Sequence, residues 1–255
     1  MIVVSIINQK GGVGKTTTTV NLATAIAAIG KRTLVIDLDP QGNATTGFGM
    51  PKGRGLKSSY GVLLNMISPE EVIKHTYIDN LDIIPSTIDL SAAEVELFQQ
   101  KDRDEKLKKA ISNLNYDYVF IDCPPGFGLI CINSLNASQK IIIPLQCEFY
   151  ALEGLAQLFK TIQSVRNTIN SNLKVSGILL TMYDRRNSLS STVANDVRTH
   201  FKNIVFKTII PRNVRISEAS SFGKPVIVYD MKSTGALAYI ELAREFLSRE
   251  GGNNE

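Results

Sequence analysis

The chain has 255 residues, 44% of them hydrophobic and 20% charged, with a formal net charge of +4 and a mean hydropathy near zero. That balance suits an α/β protein with one domain over residues 1–255, and it excludes a bilayer span, because no apolar stretch is long enough for one. A core strand beginning at Ile2 leaves no room for a signal peptide, and Cys123, Cys131 and Cys147 are odd in number with no C-x-x-C pair, so a cytoplasmic protein with buried, reduced thiols is expected.

The first element is the apolar run Ile2-Val3-Val4-Ser5-Ile6-Ile7, read as a strand. It leads directly into Lys10-Gly11-Gly12-Val13-Gly14-Lys15-Thr16-Thr17 and then a helix-like stretch. Strand, glycine-rich loop and helix in that order make a nucleotide-phosphate cradle. The glycines let backbone N–H groups wrap an anion, and the helix offers the positive end of its dipole. ATP or GTP is the expected ligand, with Lys15 reaching the β/γ-phosphates and the Thr16 hydroxyl on Mg²⁺. The usual phosphate loop has glycine where this chain has Gln9, and it asks for no lysine at position 10. A plain glycine turn without a ligand is the bland alternative, and it requires two lysines and two hydroxyls to coincide by chance.

Farther along, strands are expected over 33–37, 81–85, 117–122, 140–145, 175–181, 204–210 and 226–229. Most are continuous apolar runs, as in strands covered on both faces, and the intervals are long enough for crossover helices. The fold class is therefore α/β, a doubly wound and mainly parallel sheet. Ser91-Ala92-Ala93-Glu94 reads as a capping box before Val95, Leu97 and Phe98, and Gly235 stands ahead of a final helix through about Ser248. The stretch from Gly49 to Ser59 is expected to be a mobile loop, and the tail from Gly251 to Glu255 is expected to fray.

Two strand ends supply the carboxylates that phosphoryl transfer needs. Asp37 and Asp39 stand where Leu34-Val35-Ile36 emerges, at the usual ligand edge of such a sheet. Asp122 ends Tyr118-Val119-Phe120-Ile121, a Walker B pattern. An aspartate there holds the metal, usually through water, while another polar group orients the nucleophile. Helix capping is a competing role for Asp37 alone.

Positive charge is concentrated late in the chain. Residues 184–224 hold Arg185, Arg186, Arg198, Lys202, Lys207, Arg212, Arg215 and Lys224 against Asp184, Asp196 and Glu218, a balance of +5, so the rest of a +4 chain sums to −1. Such a segment suits a nucleic-acid backbone. Without aromatic interleaving or a reading helix, the contact would be independent of sequence. A solvated basic face is the alternative.

The sequence from Lys10 to Thr17 is a deviant Walker A signature, and the chain resembles the ParA/MinD group of P-loop ATPases. The stretch from Asp37 to Thr45 resembles the chromosomal ParA/Soj branch. So do Pro144 to Gly154, Leu180 to Asp184, Ile210 to Ala219, and Phe222-Gly223-Lys224-Pro225-Val226. The resemblance implies an ATPase that uses ATP and Mg²⁺, with Lys10 crossing a homodimer interface to the partner's nucleotide. It assigns Asp39 to the attacking water and Thr16 and Asp122 to the metal, with Asp37 in support on the metal side. Adenine would lie against Pro211-Arg212-Asn213, with Met182 as a stacking neighbour. Arg186, Arg215 and Lys224 match positions for nonspecific binding of double-stranded DNA. A ParB/Spo0J-type partner would stimulate hydrolysis in a cytoplasmic, nucleoid-associated cycle of chromosome or plasmid partitioning. One departure is Gly126, where relatives commonly carry serine.

Three rivals remain from other classes. A MinD-like membrane-cycling ATPase would need a C-terminal amphipathic helix with a basic face, whereas Glu241 to Glu250 looks core-packed and leads into a polar, acidic tail. An iron-sulfur carrier would need cysteines that pair or face each other across a dimer. A noncatalytic DNA-binding module would not need the set of Lys15, Thr16, Asp39 and Asp122.

Overall fold

The apolar runs become the buried strands of a single eight-stranded sheet. In the computed structural model, which describes residues 1–53 and 55–251, these strands are β1 (Ile2–Ile6), β2 (Thr33–Asp37), β3 (Lys74–His75), β4 (Leu81–Ile84), β5 (Tyr118–Asp122), β6 (Lys140–Gln146), β7 (Lys174–Tyr183) and β8 (Val205–Pro211). They lie in the order β3-β4-β2-β5-β1-β6-β7-β8. Every neighbouring pair is parallel except β3 with β4. All five residues of β2 and of β5 are buried, which is why their sequences are continuous rather than alternating.

The helices are α1 (Lys15–Ala28), α2 (Asn43–Gly47), α3 (Ser59–Leu63), α4 (Ala93–Phe98), α5 (Lys106–Ile111), α6 (Leu129–Ala137), α7 (Ala151–Thr168), α8 (Ser188–Phe201), α9 (Val214–Ser221), α10 (Val226–Tyr229) and α11 (Thr234–Gly251). Strand alternation sends Leu34, Ile36, Val119 and Ile121 to one face, where they pack with α3 through α8. Val4, Ile6, Val35 and Phe120 go to the other face and pack with α1, α9, α10 and α11. Burying a side chain of this size contributes roughly 1.5–3 kcal/mol, so the sheet is stabilised from both sides. Phe246 of α11 meets Tyr118 and Phe120 edge-on or tilted, at centroid distances of 5.9 and 6.1 Å. At the end of the helix, Arg249 donates to the carbonyls of Ser176 and Val205, and Lys140 pairs with Glu250 at 3.0 Å. The apolar face of α11 is thus covered by the sheet. Among the described residues no helix is long and apolar enough to cross a membrane.

The structure corrects three local expectations. Residues 226–229 form a helical turn, α10, and not a strand. The β-branched run suggests extension, but Pro225 precedes it, Asn21 Oδ1 accepts from Val226 N at 2.8 Å, and the run packs on α1 and α11 instead of on β8. The capping box does not form either. Ser91 Oγ bonds back to Ile88 O in a 3₁₀ turn, Val95 and Phe98 are each 68% exposed, and Glu94 reaches another helix. Strand β3 escaped sequence reading because it is two exposed, polar residues paired antiparallel to β4. Gly235 falls inside the first turn of α11, where a Cβ would lie 2.7 Å from Ile216, so the glycine allows α11 to approach α9. In the loop expected from Gly49 to Ser59, Gly55 N donates to Asp89 and Ser59 opens α3, while Arg54 lies outside the described residues. Of the tail, Gly251 ends α11 and residues 252–255 lie outside the described residues.

Candidate active site

Parallel strands bring all their carboxyl ends to one edge, and the loop after β1 opens there. Gly12 and Gly14 adopt left-handed conformations, with φ of +75° and +89°, that side chains resist, and Gly14 caps α1. The loop is held by the neighbouring strands β6 and β7. Thr181 Oγ1 on β7 donates to Val13 O at 2.8 Å, Asn8 Nδ2 donates to Pro144 O at 2.7 Å, and Asn8 Oδ1 accepts from Lys10 N. The shape of the cradle is therefore set by the sheet beneath it.

The two loop lysines point in different directions. Lys15 is only 7% exposed, and its Nζ donates to Lys10 O at 3.0 Å. Burial pushes its pKa down, against attraction chiefly from Asp122. The Lys10 side chain is 58% exposed and pairs with Glu148, beyond the end of β6. It turns away from the cavity that Lys15 helps to line.

The three aspartates differ in their surroundings. Asp37 and Asp122 are register partners on β2 and β5, and both are completely buried. Asp37 Oδ2 accepts from Thr45 N and Thr45 Oγ1, both at 2.7 Å, and its Oδ1 accepts from Asp39 N at 3.1 Å. Its oxygens therefore anchor α2 and the turn before it, and burial leads the causes that raise its carboxyl to about 6. Asp122 Oδ1 accepts from Thr19 Oγ1 at 3.2 Å, whereas Oδ2 is buried without a hydrogen-bond partner among the described residues. Burial first, and then Asp37, pushes its pKa well up, while the Thr16 hydroxyl works against the shift. An orphaned buried carboxylate oxygen beside a hydroxyl is an oxygen-donor set suited to a hard cation such as Mg²⁺. Asp39 is 9% exposed and faces the cavity. Its Oδ1 is held by Gln41 N at 2.9 Å.

That cavity, about 370 Å³, joins the two ends of the expected site. At one end are Gly11, Gly12, Gly14, Lys15, Thr16 and Thr17, and at the other are Met182, Pro211 and Asn213. Met182 has φ of +49°, an uncommon backbone for a non-glycine residue, inside β7 where its register with β8 shifts between Leu180 and Tyr183. Asn213 caps α9 by accepting from Arg215 N, and it donates to Thr234 at the start of α11. Sequence reading missed Asn43, Ile216 and Tyr239, which also line the space. Asn43 follows the Asp39 turn and could have been suspected, but nothing local distinguishes Ile216 or Tyr239 from core residues. Gly126 has φ of +93° with open space around it, so glycine suits the backbone there where serine would be strained.

Arg185, Arg186, Arg212 and Arg215 follow the carboxyl ends of β7 and β8, and of these only Arg212 lines the cavity, whereas Arg198, Lys202 and Lys207 group with Val205 and Arg249 near the start of β8. Arg186 is held by Asp184 through Nε to Oδ1 at 3.0 Å and Nη2 to Oδ2 at 2.9 Å, and this arginine brings the Asp184 carboxyl down to about 2. Arg215 pairs with Glu218 at 2.8 Å and with Asp230 at 3.5 Å. Lys224 is exposed beyond α9. All three cysteines are buried and free, and Cys123 Sγ contacts Ser134 Oγ at 3.0 Å.

A family model described as an AAA domain matches residues 1–175. The chromosome partitioning protein ParA of Caulobacter vibrioides is 51% identical over 252 residues, covering 97% of this chain and 94% of that protein. The sporulation initiation inhibitor protein Soj of Bacillus subtilis is 50% identical over 245 residues, covering 95% and 97%. Among solved structures, cobyrinic acid a,c-diamide synthase from Mycobacterium smegmatis with bound ADP and magnesium superposes with a TM-score of 0.87. It is 35% identical and covers 100% of this chain and 97% of that one. A phosphate loop with two divergent lysines, an orphaned Walker B oxygen and relatives of this closeness lead to one conclusion: the chain belongs to the ParA/Soj family of P-loop ATPases.

Proposed function

We propose that this protein is an ATP- and Mg²⁺-dependent ATPase that dimerises with ATP, binds double-stranded DNA nonspecifically and drives chromosome or plasmid partitioning. The observation that carries the reading is the opposite orientation of the two loop lysines. Lys15 is committed to its own cavity, while Lys10 offers an exposed cation on the outer side of the same loop. That placement suits contact with the nucleotide of a second copy, so the ATP-bound form is a homodimer.

Bound in the cavity, ATP presents its γ-phosphoryl group and Mg²⁺ offsets the charge on the phosphates. The loop N–H groups and Lys15 hold the phosphates, and Thr16 with Asp122 provides the oxygen side of the metal position. Asp37 stands behind them and keeps α2 in place. Asp39 orients the attacking water, and Met182, Pro211 and Asn213 flank the base. Arg186, Arg215 and Lys224 meet DNA phosphates, a contact that carries no sequence information. Hydrolysis dissolves the dimer, and a ParB/Spo0J-type partner stimulates that step. The protein cycles between the cytoplasm and the nucleoid. The covered face of α11 disfavours a membrane-cycling role.

Co-sedimentation with DNA and with liposomes, each with and without ATP, tests the reading. ATP-dependent recovery with DNA alone is the expected result. Recovery with liposomes and not with DNA would replace the partitioning role with a membrane cycle.

A further inference from the structure

Strand β5 leaves the sheet into the turn Pro124–Gly128, and Pro125 of this turn lines the nucleotide cavity. Upstream the chain is fixed, because Leu38 N donates to Asp122 O at 2.9 Å and Cys123 N donates to Ile6 O at 3.4 Å. Pro124 and Pro125 have no N–H to donate. Among the described residues, the N–H groups of Gly126, Phe127 and Gly128 donate no hydrogen bond either. The next anchored donors are Leu129 N and Ile130 N, the opening residues of α6. Both donate to one carboxylate: Leu129 N to Glu94 Oε2 at 2.8 Å, and Ile130 N to Glu94 Oε1 at 3.2 Å. Glu94 comes from α4, which packs against α6, so the bond links two helices 35 residues apart in sequence and is not a local cap. The fit is close enough that a Cβ on Gly128 would lie 2.1 Å from Oε1.

We infer that Glu94 is a positioning residue for ATP hydrolysis, the downstream anchor that holds the Asp122–Gly128 turn against the nucleotide cavity. The inference rests on the ATPase reading above. A carboxylate shared by two N–H donors at a helix N-terminus gains both charge-assisted hydrogen bonding and the favourable end of the dipole. Without it, the turn keeps its upstream ties, the bond from Ile132 N to Gly128 O at 3.0 Å and the packing of Phe127 on the core, but loses the carboxylate that fixes the two N–H groups at its exit. Groups near the reacting phosphate would then shift by a fraction of an ångström, while the contacts of the phosphate loop and the adenine side would persist. The loss should therefore fall on kcat and not on KM for ATP.

Steady-state ATP hydrolysis and Tm of the full chain test this, using Glu94→Ala, Glu94→Gln and, as a control on the same helix, Glu96→Ala. Glu96 bonds to the Tyr60 hydroxyl at 2.8 Å and does not touch the turn. Glu94→Ala is expected to lower kcat about tenfold with KM within about twofold, a partial version of the roughly 100-fold cost of a 1 Å misplacement. Glu94→Gln keeps the length and one acceptor oxygen, and should fall between Ala and the parent. Glu96→Ala should keep the parent kcat. A Glu94→Ala protein that loses Tm but retains kcat would show a purely structural cap and overturn the proposal, as would an equal loss of kcat in Glu96→Ala. If Glu94→Ala does not fold, parent-like turnover in Glu94→Gln overturns it as well. A parent that does not hydrolyse ATP would instead remove the ATPase reading, and the proposal with it.

Discussion

The phosphate loop and the arginines Arg186 and Arg215 lie on the same edge of the sheet, but their functional groups are held in different ways. In the loop, Lys15 is buried and aimed inward, Asp122 keeps an orphaned oxygen, and the backbone is clamped by Thr181 and Asn8. In the basic segment, Arg186 and Arg215 are exposed and already paired with Asp184, Glu218 and Asp230. The first region is preorganised, so removing one group should remove a whole step. In the second region the two arginines are ion-paired and solvated, where single ion pairs are weak, so its effects should be graded and sensitive to salt.

Mutations can break this contrast, beginning with the largest effect. Lys15→Ala removes the inward cation and should weaken nucleotide binding by about 3 kcal/mol, on the order of 100-fold or more, while the fold persists. Calorimetry with ATP gives the answer, and near-parent affinity would refute the phosphate-cradle assignment. Asp39→Ala should separate binding from turnover. Hydrolysis should fall on the order of 10²- to 10⁴-fold, the usual worth of a positioned acid or base, while an ATP-bound dimer still holds DNA. Unimpaired phosphate release would move the water-orienting role to another residue.

Lys10→Ala tests the outward lysine. ATP should bind the monomer as in the parent, and light scattering should show no ATP-dependent dimer. Persistent dimers would leave the Lys10–Glu148 pair as a surface contact only.

The basic segment should respond more gradually. Arg186→Glu combined with Arg215→Glu should abolish DNA binding while leaving ATP-dependent dimerisation intact. The salt dependence of the parent should be steep and similar for unrelated duplexes, with a log–log slope of about one per phosphate contact. Gel-shift titrations at several salt concentrations are the measurement, and parent-like binding by the double variant rejects the assignment. The smallest effect sharpens the comparison from the opposite direction. Asp184→Asn releases Arg186 from its carboxylate and should tighten DNA binding by about two- to fivefold, in keeping with an exposed ion pair. Because Asp184 titrates near 2, the parent pair persists throughout the neutral range and the gain should not depend on pH there. Unchanged affinity would mean that the pairing does not compete with phosphate.

What the sequence determined alone was whatever is encoded by contiguous residues. Strands buried on both faces leave unbroken apolar runs, so β1, β2, β5 and β6 could be found within a residue or two at their ends. The cradle was legible because loop, lysine and hydroxyl must follow one another to wrap an anion, and Asp37 and Asp122 because each ends such a run, with Asp39 two residues beyond the first. Tertiary structure decided the rest, because those features depend on residues distant in sequence. The β-branched run from Val226 to Tyr229 became helical because α1 and α11 offered it a surface and the sheet did not. Ile216 and Tyr239 entered the cavity only when α9 and α11 closed over it. Glu94 looked like a cap for its own helix and instead capped one that begins 35 residues later, since a helix end accepts whichever carboxylate the packing brings within reach.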